Sequence, residues 1–122
     1  MKTIVKSMLT TIVLALFIST VLSAQDNTNN KTAVVKIKTS AVCSSCKIRI
    51  EKNLAYEKGV TDVVLDIATK IVTVTYKPAK TNPDKLRHAI SKIGYDADNV
   101  LADPVAYGKL PKCCKKDAEP HQ

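Results

Sequence analysis

The chain has 122 residues, which leaves room for one small domain and appended segments. Apolar residues make up 45% of it, and with one Phe and no Trp the core must be mainly aliphatic. The net charge is +8, but the basic residues are scattered and have no aromatic partners, which argues against nucleic-acid binding. The sequence contains no Ser/His/Asp set, phosphate loop or paired carboxylates, so we do not expect an enzyme.

Residues 1–24 have the features of a secretory signal peptide. Two lysines precede an apolar run over residues 8–22, and small residues follow it up to Ala24. The run is shorter than the roughly 20 apolar residues that a membrane-spanning helix needs. We therefore expect cleavage after Ala24, a periplasmic or secreted protein, and no stable membrane anchor once the signal is removed. A polar linker, residues 25–31, follows.

Strand and helix patterns alternate through the predicted domain, residues 32–103. Alternation of apolar and polar residues predicts strands in "AVVKIKT", "VTDVVLDI", "IVTVTY" and, more briefly, "YDADNV". A first helix is predicted from about Ser44 to Lys58, with Gly59 as its stop. A second helix is predicted to begin after the capping residue Asn82 and to end at Gly94.

This order of elements, βαββαβ, predicts an α+β fold of the ferredoxin-like sandwich type. Two right-handed split βαβ units give a four-stranded antiparallel sheet in the order 4-1-3-2, with both helices on one face. The alternating strands agree with this prediction, because the other face of such a sheet meets water.

Cys43 and Cys46 stand where the first strand gives way to the first helix. Unpaired backbone N–H groups and the positive end of the helix dipole favour a thiolate there, and Lys47 and Arg49 add positive charge. Two thiolates on a partly exposed loop suit a soft ion such as Cu(I), and also Hg(II) or Zn(II). The same pair could instead perform thiol–disulfide exchange or form a plain disulfide in an oxidising compartment.

Residues 32–103 resemble the heavy-metal-associated domain family, which includes copper chaperones, mercury-binding periplasmic proteins and N-terminal modules of metal-pumping ATPases. The matching pieces are "CSSCKIRIEKNL", "GVTDVVLDIATKIVTVTY" and "KLRHAISKIGYDAD". The resemblance implies that Cys43 and Cys46 are the metal ligands. It also implies a partner that gives or takes metal through its own thiolates, such as a metal-transporting ATPase. Tyr95 matches bacterial copper-handling members and should lie beside the loop that carries Cys43 and Cys46, which we call the metal loop. There it either contacts the sulfur ligands and adjusts how they bind metal, or only packs in the core.

The tail, residues 104–122, contains a second cysteine pair, Cys113 and Cys114. The ten residues from Pro104 to Cys113 could extend over roughly 33 Å, about twice the length of a five-residue strand. The tail could therefore return to the first pair and add sulfur ligands to it. The alternative is a disordered tail whose cysteines react with other chains. His121, near the chain end, is not a convincing ligand.

We therefore expect an exported protein that binds a soft metal ion, with Cu(I) as the first candidate, and buffers it or transfers it to a partner. A periplasmic Hg(II) scavenger is the alternative within the same class of protein. A small thiol–disulfide exchange protein is the alternative from another class.

Overall fold

The computed structural model describes residues 31–117. The predicted signal peptide, the predicted linker up to residue 30, and His121 lie outside the described residues. The elements are β1 (Ala33–Lys38), α1 (Ser44–Ala55), β2 (Val60–Asp66), β3 (Ile71–Tyr76), α2 (Pro83–Ile93), α3 (Pro104–Gly108) and a 3-10 turn (Lys112–Cys114). None of the helices within this part of the chain has the length and apolar character needed to cross a bilayer.

The three strands form one antiparallel sheet in the order β1-β3-β2. Ile37 of β1 and Leu65 of β2 both lie opposite Val72 of the central strand β3, and all three side chains are buried. They share one hydrophobic core with the apolar stripes of α1 and α2, so the helices cover this face of the sheet. The opposite face includes exposed side chains such as Val34. The α+β class and the relative order of the first three strands are confirmed.

The prediction of a fourth regular strand is wrong for residues 95–100. Ala97 makes a single antiparallel bridge to Thr39, and the chain then turns. Asp98 adopts a left-handed φ of 51°, which a short polar side chain tolerates. Its carboxylate accepts a 2.9 Å hydrogen bond from the Lys38 N–H, and its own N–H donates a 2.8 Å bond to the Lys38 carbonyl. Asp98 therefore forms hydrogen bonds to both backbone groups of Lys38, which a fourth strand would otherwise form at this edge of β1.

The ends of α2 agree with the prediction, whereas α1 ends earlier than predicted. The side chain of Asn82 accepts a 2.9 Å hydrogen bond from the Lys85 N–H, and Gly94 ends α2 with a left-handed φ of 110°. Helix α1 ends at Ala55, and successive turns then lead to Gly59, whose φ is 86°. Gly59 therefore belongs to the turn before β2 and is not the helix stop.

The described part of the tail, residues 104–117, folds back onto the domain. A Cβ at Gly94 would lie 3.0 Å from the backbone carbonyl of Ala106, so only glycine allows α3 to approach the end of α2 so closely. Leu110 and Cys114 are buried in the same hydrophobic core as the sheet and the helices. The tail is therefore part of the packed structure up to the 3-10 turn.

Candidate metal centre

The loop between β1 and α1 places the first cysteine pair at the start of a helix. Cys43 is the N-cap residue of α1, and Cys46 lies in its first turn. The hydroxyl of Thr39, at the end of β1, donates a 2.9 Å hydrogen bond to the Lys70 carbonyl and accepts one of 3.3 Å from the Ala41 N–H. With the loop held in this way, the Cys43 and Cys46 sulfurs lie 3.5 Å apart.

The two thiols of this pair have opposite pKa shifts. Burial tends to raise the pKa of Cys43, but the N–H groups of Cys46 and Ser45 at the helix start, together with neighbouring thiols, outweigh burial and lower it. Burial dominates at Cys46 and raises its pKa to about 11. Cys43 is therefore the thiol that ionises first, and it is the natural first ligand for a cation.

The first cysteine pair is covered by the tail, which differs from the partly exposed loop that the sequence suggests. Cys43 is 4% exposed and Cys46 is fully buried. The Cys43 thiol donates a 3.4 Å hydrogen bond to the backbone carbonyl of Cys113. The burial has a long-range cause, since a segment 70 residues further along the chain closes over the loop.

The structure brings the second cysteine pair to the first. The sulfurs of Cys113 and Cys114 are 4.0 Å apart. The sulfurs of Cys43, Cys113 and Cys114 all lie within 4.8 Å of one another, a spacing at which one ion could contact all three. All four cysteines, including Cys46, are free thiols in this structure.

Tyr95 lies beside these sulfurs, as its position in the sequence suggested. Its side chain is fully buried, and its hydroxyl has no hydrogen-bond partner among the described residues. Burial, followed by the neighbouring thiols of Cys114 and Cys46, raises the pKa of the phenol well above its usual range. The hydroxyl therefore remains protonated and is available to donate a hydrogen bond.

Lysines close in sequence to the two cysteine pairs contact groups other than the thiols. Lys47 forms a 2.5 Å ion pair with Glu51 on the same helix. The amino groups of Lys115 and Lys116 lie 5.8 and 5.7 Å from the centre of the Tyr107 ring. The lowered pKa of Cys43 is consequently explained by helix N–H groups and neighbouring thiols.

Asp96 connects the metal loop to the tail, a role that the sequence did not reveal. Its N–H donates a 2.9 Å hydrogen bond to the Ser40 hydroxyl in the loop. Its carboxylate accepts a 2.8 Å bond from the Ala102 N–H and forms a 2.6 Å ion pair with Lys116. No local sequence pattern indicates this link, because Ser40 and Lys116 are distant from Asp96 in the sequence.

Comparison with known proteins gives the chain its family. The model of the heavy-metal-associated domain matches residues 41–96. The copper-exporting P-type ATPase of Staphylococcus saprophyticus is 38% identical over 68 residues, which cover 56% of this chain and 8% of the ATPase. This chain therefore matches only a small part of that relative's length.

Two solved structures of small proteins match over nearly their whole length. Oxidized MerP from Ralstonia metallidurans CH34 is 30% identical with a TM-score of 0.54, and the match covers 56% of this chain and 96% of MerP. The CopZ metallochaperone is 26% identical with a TM-score of 0.51, and the match covers 53% of this chain and 98% of CopZ. The chain belongs to the heavy-metal-associated domain family.

Proposed function

We propose that the protein binds a soft metal ion, Cu(I) in the first place, through the thiolates of Cys43 and Cys46, and buffers or transfers it. The observation that supports this most strongly is the pair of sulfurs 3.5 Å apart at the N-terminus of α1. The lowered pKa of Cys43 supplies one thiolate readily, and soft thiolates select Cu(I) over hard cations. One relative is named a copper-exporting P-type ATPase, and another is named a metallochaperone.

Transfer would proceed by ligand exchange with a partner that carries its own thiolates. An incoming sulfur bonds to the ion before one of the two cysteines leaves, so the ion is never free. A metal-transporting ATPase is the partner class that the similarity to copper-exporting ATPases supports. The exposed side chain of Ile48, two residues beyond Cys46, could contribute to the surface on which such a partner docks.

We also propose that the protein is exported. The support is the sequence of residues 1–24, with its basic start, apolar run and small residues up to Ala24. Sequencing the N-terminus of the protein from the periplasmic fraction tests this proposal, and the expected first residue is Gln25. A chain that keeps residues 1–24 and stays in the cytoplasm would refute export without affecting metal binding.

Anaerobic titration of the reduced full chain with Cu(I), against a chromophoric Cu(I) chelator, tests metal binding. We expect one Cu(I) per chain and an affinity that falls at least 100-fold in Cys43→Ser/Cys46→Ser. Ser45→Ala is the matched control, because Ser45 is exposed between the two cysteines, and it should bind like the natural chain. Equal affinity in the double variant and the control would refute the assignment of these ligands.

A mercury-binding role is the second candidate, and the similarity to the mercury-bound form of MerP, a periplasmic protein of a bacterial mercury detoxification system, favours it. The same sulfurs would hold Hg(II), which is also thiophilic. Competition between Cu(I) and Hg(II) for the reduced chain, under a fixed concentration of a competing thiol, separates the two roles. Retention of Cu(I) in excess competing thiol supports the copper role, and loss of Cu(I) with retention of Hg(II) supports the mercury role.

Thiol–disulfide exchange is favoured by one observation, the opposite pKa shifts of the first pair. Cys43, with its lowered pKa, would attack a substrate disulfide, and Cys46 would then release the substrate as two thiols and leave a Cys43–Cys46 disulfide. A disulfide-reduction assay with a regenerating dithiol measures this activity directly. The metal-binding proposal predicts no turnover above that of the dithiol alone.

A further inference from the structure

Sulfur separations in the candidate metal centre suit a site with more than two ligands. For a metal–sulfur distance of about 2.3 Å, two sulfurs in a linear site lie about 4.6 Å apart, and sulfurs in a trigonal site about 4.0 Å apart. Cys113 and Cys114 show the trigonal separation, 4.0 Å, and Cys43 and Cys46 are closer still, at 3.5 Å. Both separations are too short for a linear two-sulfur site without movement, and the separation of Cys113 and Cys114 matches an ion surrounded by three sulfurs.

The tail cysteines are held in place by contacts of their own. Leu110 packs in the hydrophobic core just before the 3-10 turn, and Cys114 is buried with it. Beyond the turn, Lys116 donates its N–H to the Tyr107 hydroxyl at 3.1 Å and forms an ion pair with Asp96. The second pair is therefore positioned against the first by the folded chain and does not depend on a metal ion for its location.

The buried hydroxyl of Tyr95 is a second, independent indication. A buried donor without a partner costs free energy, and the loss is recovered when an acceptor forms beside it. The side chains beside this hydroxyl are the thiols of Cys114 and Cys46, one from each pair. A metal-bound thiolate at either position would be a strong acceptor for this hydroxyl.

We infer that Cys113 and Cys114 are ligands of the same ion as Cys43, so that the tail completes a closed site with at least three sulfurs. This inference rests on the proposed function, because it assumes that the first pair takes up a soft ion. It adds a property that the first pair alone does not have. An ion enclosed by the tail leaves only after the tail cysteines detach, so the full chain holds metal longer than a two-thiolate site and releases it more slowly to an acceptor.

The test compares Cys113→Ser/Cys114→Ser with the natural full chain, and Lys109→Ser is a matched tail control that keeps every thiol. X-ray absorption of the Cu(I)-loaded proteins counts the bound sulfurs, and the chelator competition gives the affinity. We expect at least three sulfurs in the natural chain and in the control. In the double variant we expect two sulfurs, an affinity at least tenfold lower, and faster transfer of copper to a dithiol acceptor.

Two unfavourable outcomes have different meanings. If the double variant binds Cu(I) with two sulfurs and the natural chain does the same at equal affinity, the inference about the tail is refuted and the proposed function stands. If no variant retains Cu(I), including the natural chain, the proposed function fails and the inference fails with it. Circular dichroism and thermal unfolding of the double variant show whether a loss of affinity reflects lost ligands or a lost fold.

Discussion

The thiol of Cys43 donates a hydrogen bond of 3.4 Å to the backbone carbonyl of Cys113. The contact between the metal loop and the tail is therefore made by the Cys43 sulfur, the atom that we expect to bind metal. A thiolate has no proton to donate, and its negative charge repels a carbonyl oxygen at this distance. Binding of a cation at Cys43 should therefore remove this hydrogen bond and rearrange the tail around the ion. The tail contact thus couples metal binding to the conformation of the C-terminus.

We accordingly predict that metal loading changes the tail as well as the loop. In NMR spectra of the reduced chain, addition of one equivalent of Cu(I) should shift the amide signals of Cys113 and Cys114 together with those of Cys43 and Cys46. Val64, exposed on β2, serves as an internal reference and should not shift. Shifts limited to the first cysteine pair would contradict the coupling.

Replacement of Tyr95 by phenylalanine should have opposite effects on the metal-free and metal-loaded protein. Removing a buried hydroxyl that has no partner should raise the free energy of unfolding of the metal-free chain by about 1 kcal/mol. The Cu(I) affinity should fall about tenfold, because a hydrogen bond to a charged sulfur stabilises by about 1.5 kcal/mol. Tyr56→Phe, at an exposed position on the C-terminal side of α1, is the matched control and should change neither quantity.

Denaturant unfolding and chelator competition measure these two effects separately. A Tyr95→Phe protein with the natural Cu(I) affinity would show that the tyrosine only packs. A variant less stable than the natural metal-free chain would show that its hydroxyl has a partner in solution.

Replacement of Leu110 shows whether the tail unfolds together with the rest of the domain. It is 6% exposed in the hydrophobic core, whereas Leu101 is 74% exposed, so the two leucines form a matched pair for Leu→Ala replacement. Leu110→Ala should lower the free energy of unfolding by about 2–3 kcal/mol through lost burial and a residual cavity. Leu101→Ala should change it by less than about 0.5 kcal/mol. Equal, small effects in urea unfolding would mean that the tail is not packed as described.

Stability should decrease at alkaline pH because of Cys46. Burial raises its pKa in the folded chain from the ordinary 9.0 to about 11. Between these values the folded state keeps the proton and the unfolded state releases it, so the free energy of unfolding falls as the pH rises through this window. The contribution of protonated Cys46 to the free energy of unfolding is fully present below pH 9.0 and is lost as the pH rises through about 11.

Urea unfolding of the reduced chain at a series of pH values measures this decrease. Cys46→Ala should show a shallower decrease than the natural chain over the same window. The decrease in the free energy of unfolding that remains in Cys46→Ala should include a contribution from Tyr95, whose pKa is also raised by burial. A decrease of the same steepness in both proteins would contradict the assignment to Cys46.

Local signals predicted most of the fold. The capping side chain of Asn82 and the left-handed Gly94 bound α2 where the sequence placed it, since both act within one helical turn. The alternation predicted strands β1 and β3, and their apolar residues Ile37, Val72 and Val74 are buried. These features depend on neighbouring residues, and a sequence pattern shows them directly.

The features that the sequence did not reveal depend on distant partners. Residues 95–100 have a strand-like pattern, but Asp98 in a left-handed conformation replaces the strand by pairing with Lys38 through its side chain. The burial of Cys43 likewise depends on Cys113, which no local pattern connects to it. The cysteine spacing therefore predicted the first pair as a candidate site, and only the folded chain shows that the tail covers this pair.

Native mass spectrometry of the reduced full chain with one equivalent of Cu(I) tests the central claim most directly, because it reports metal and disulfide content together. We predict one copper ion on each chain with no disulfide, and the loss of that copper in Cys43→Ser/Cys46→Ser. A natural chain that is fully reduced and folded but binds no copper would contradict the claim that the protein takes up a soft metal ion.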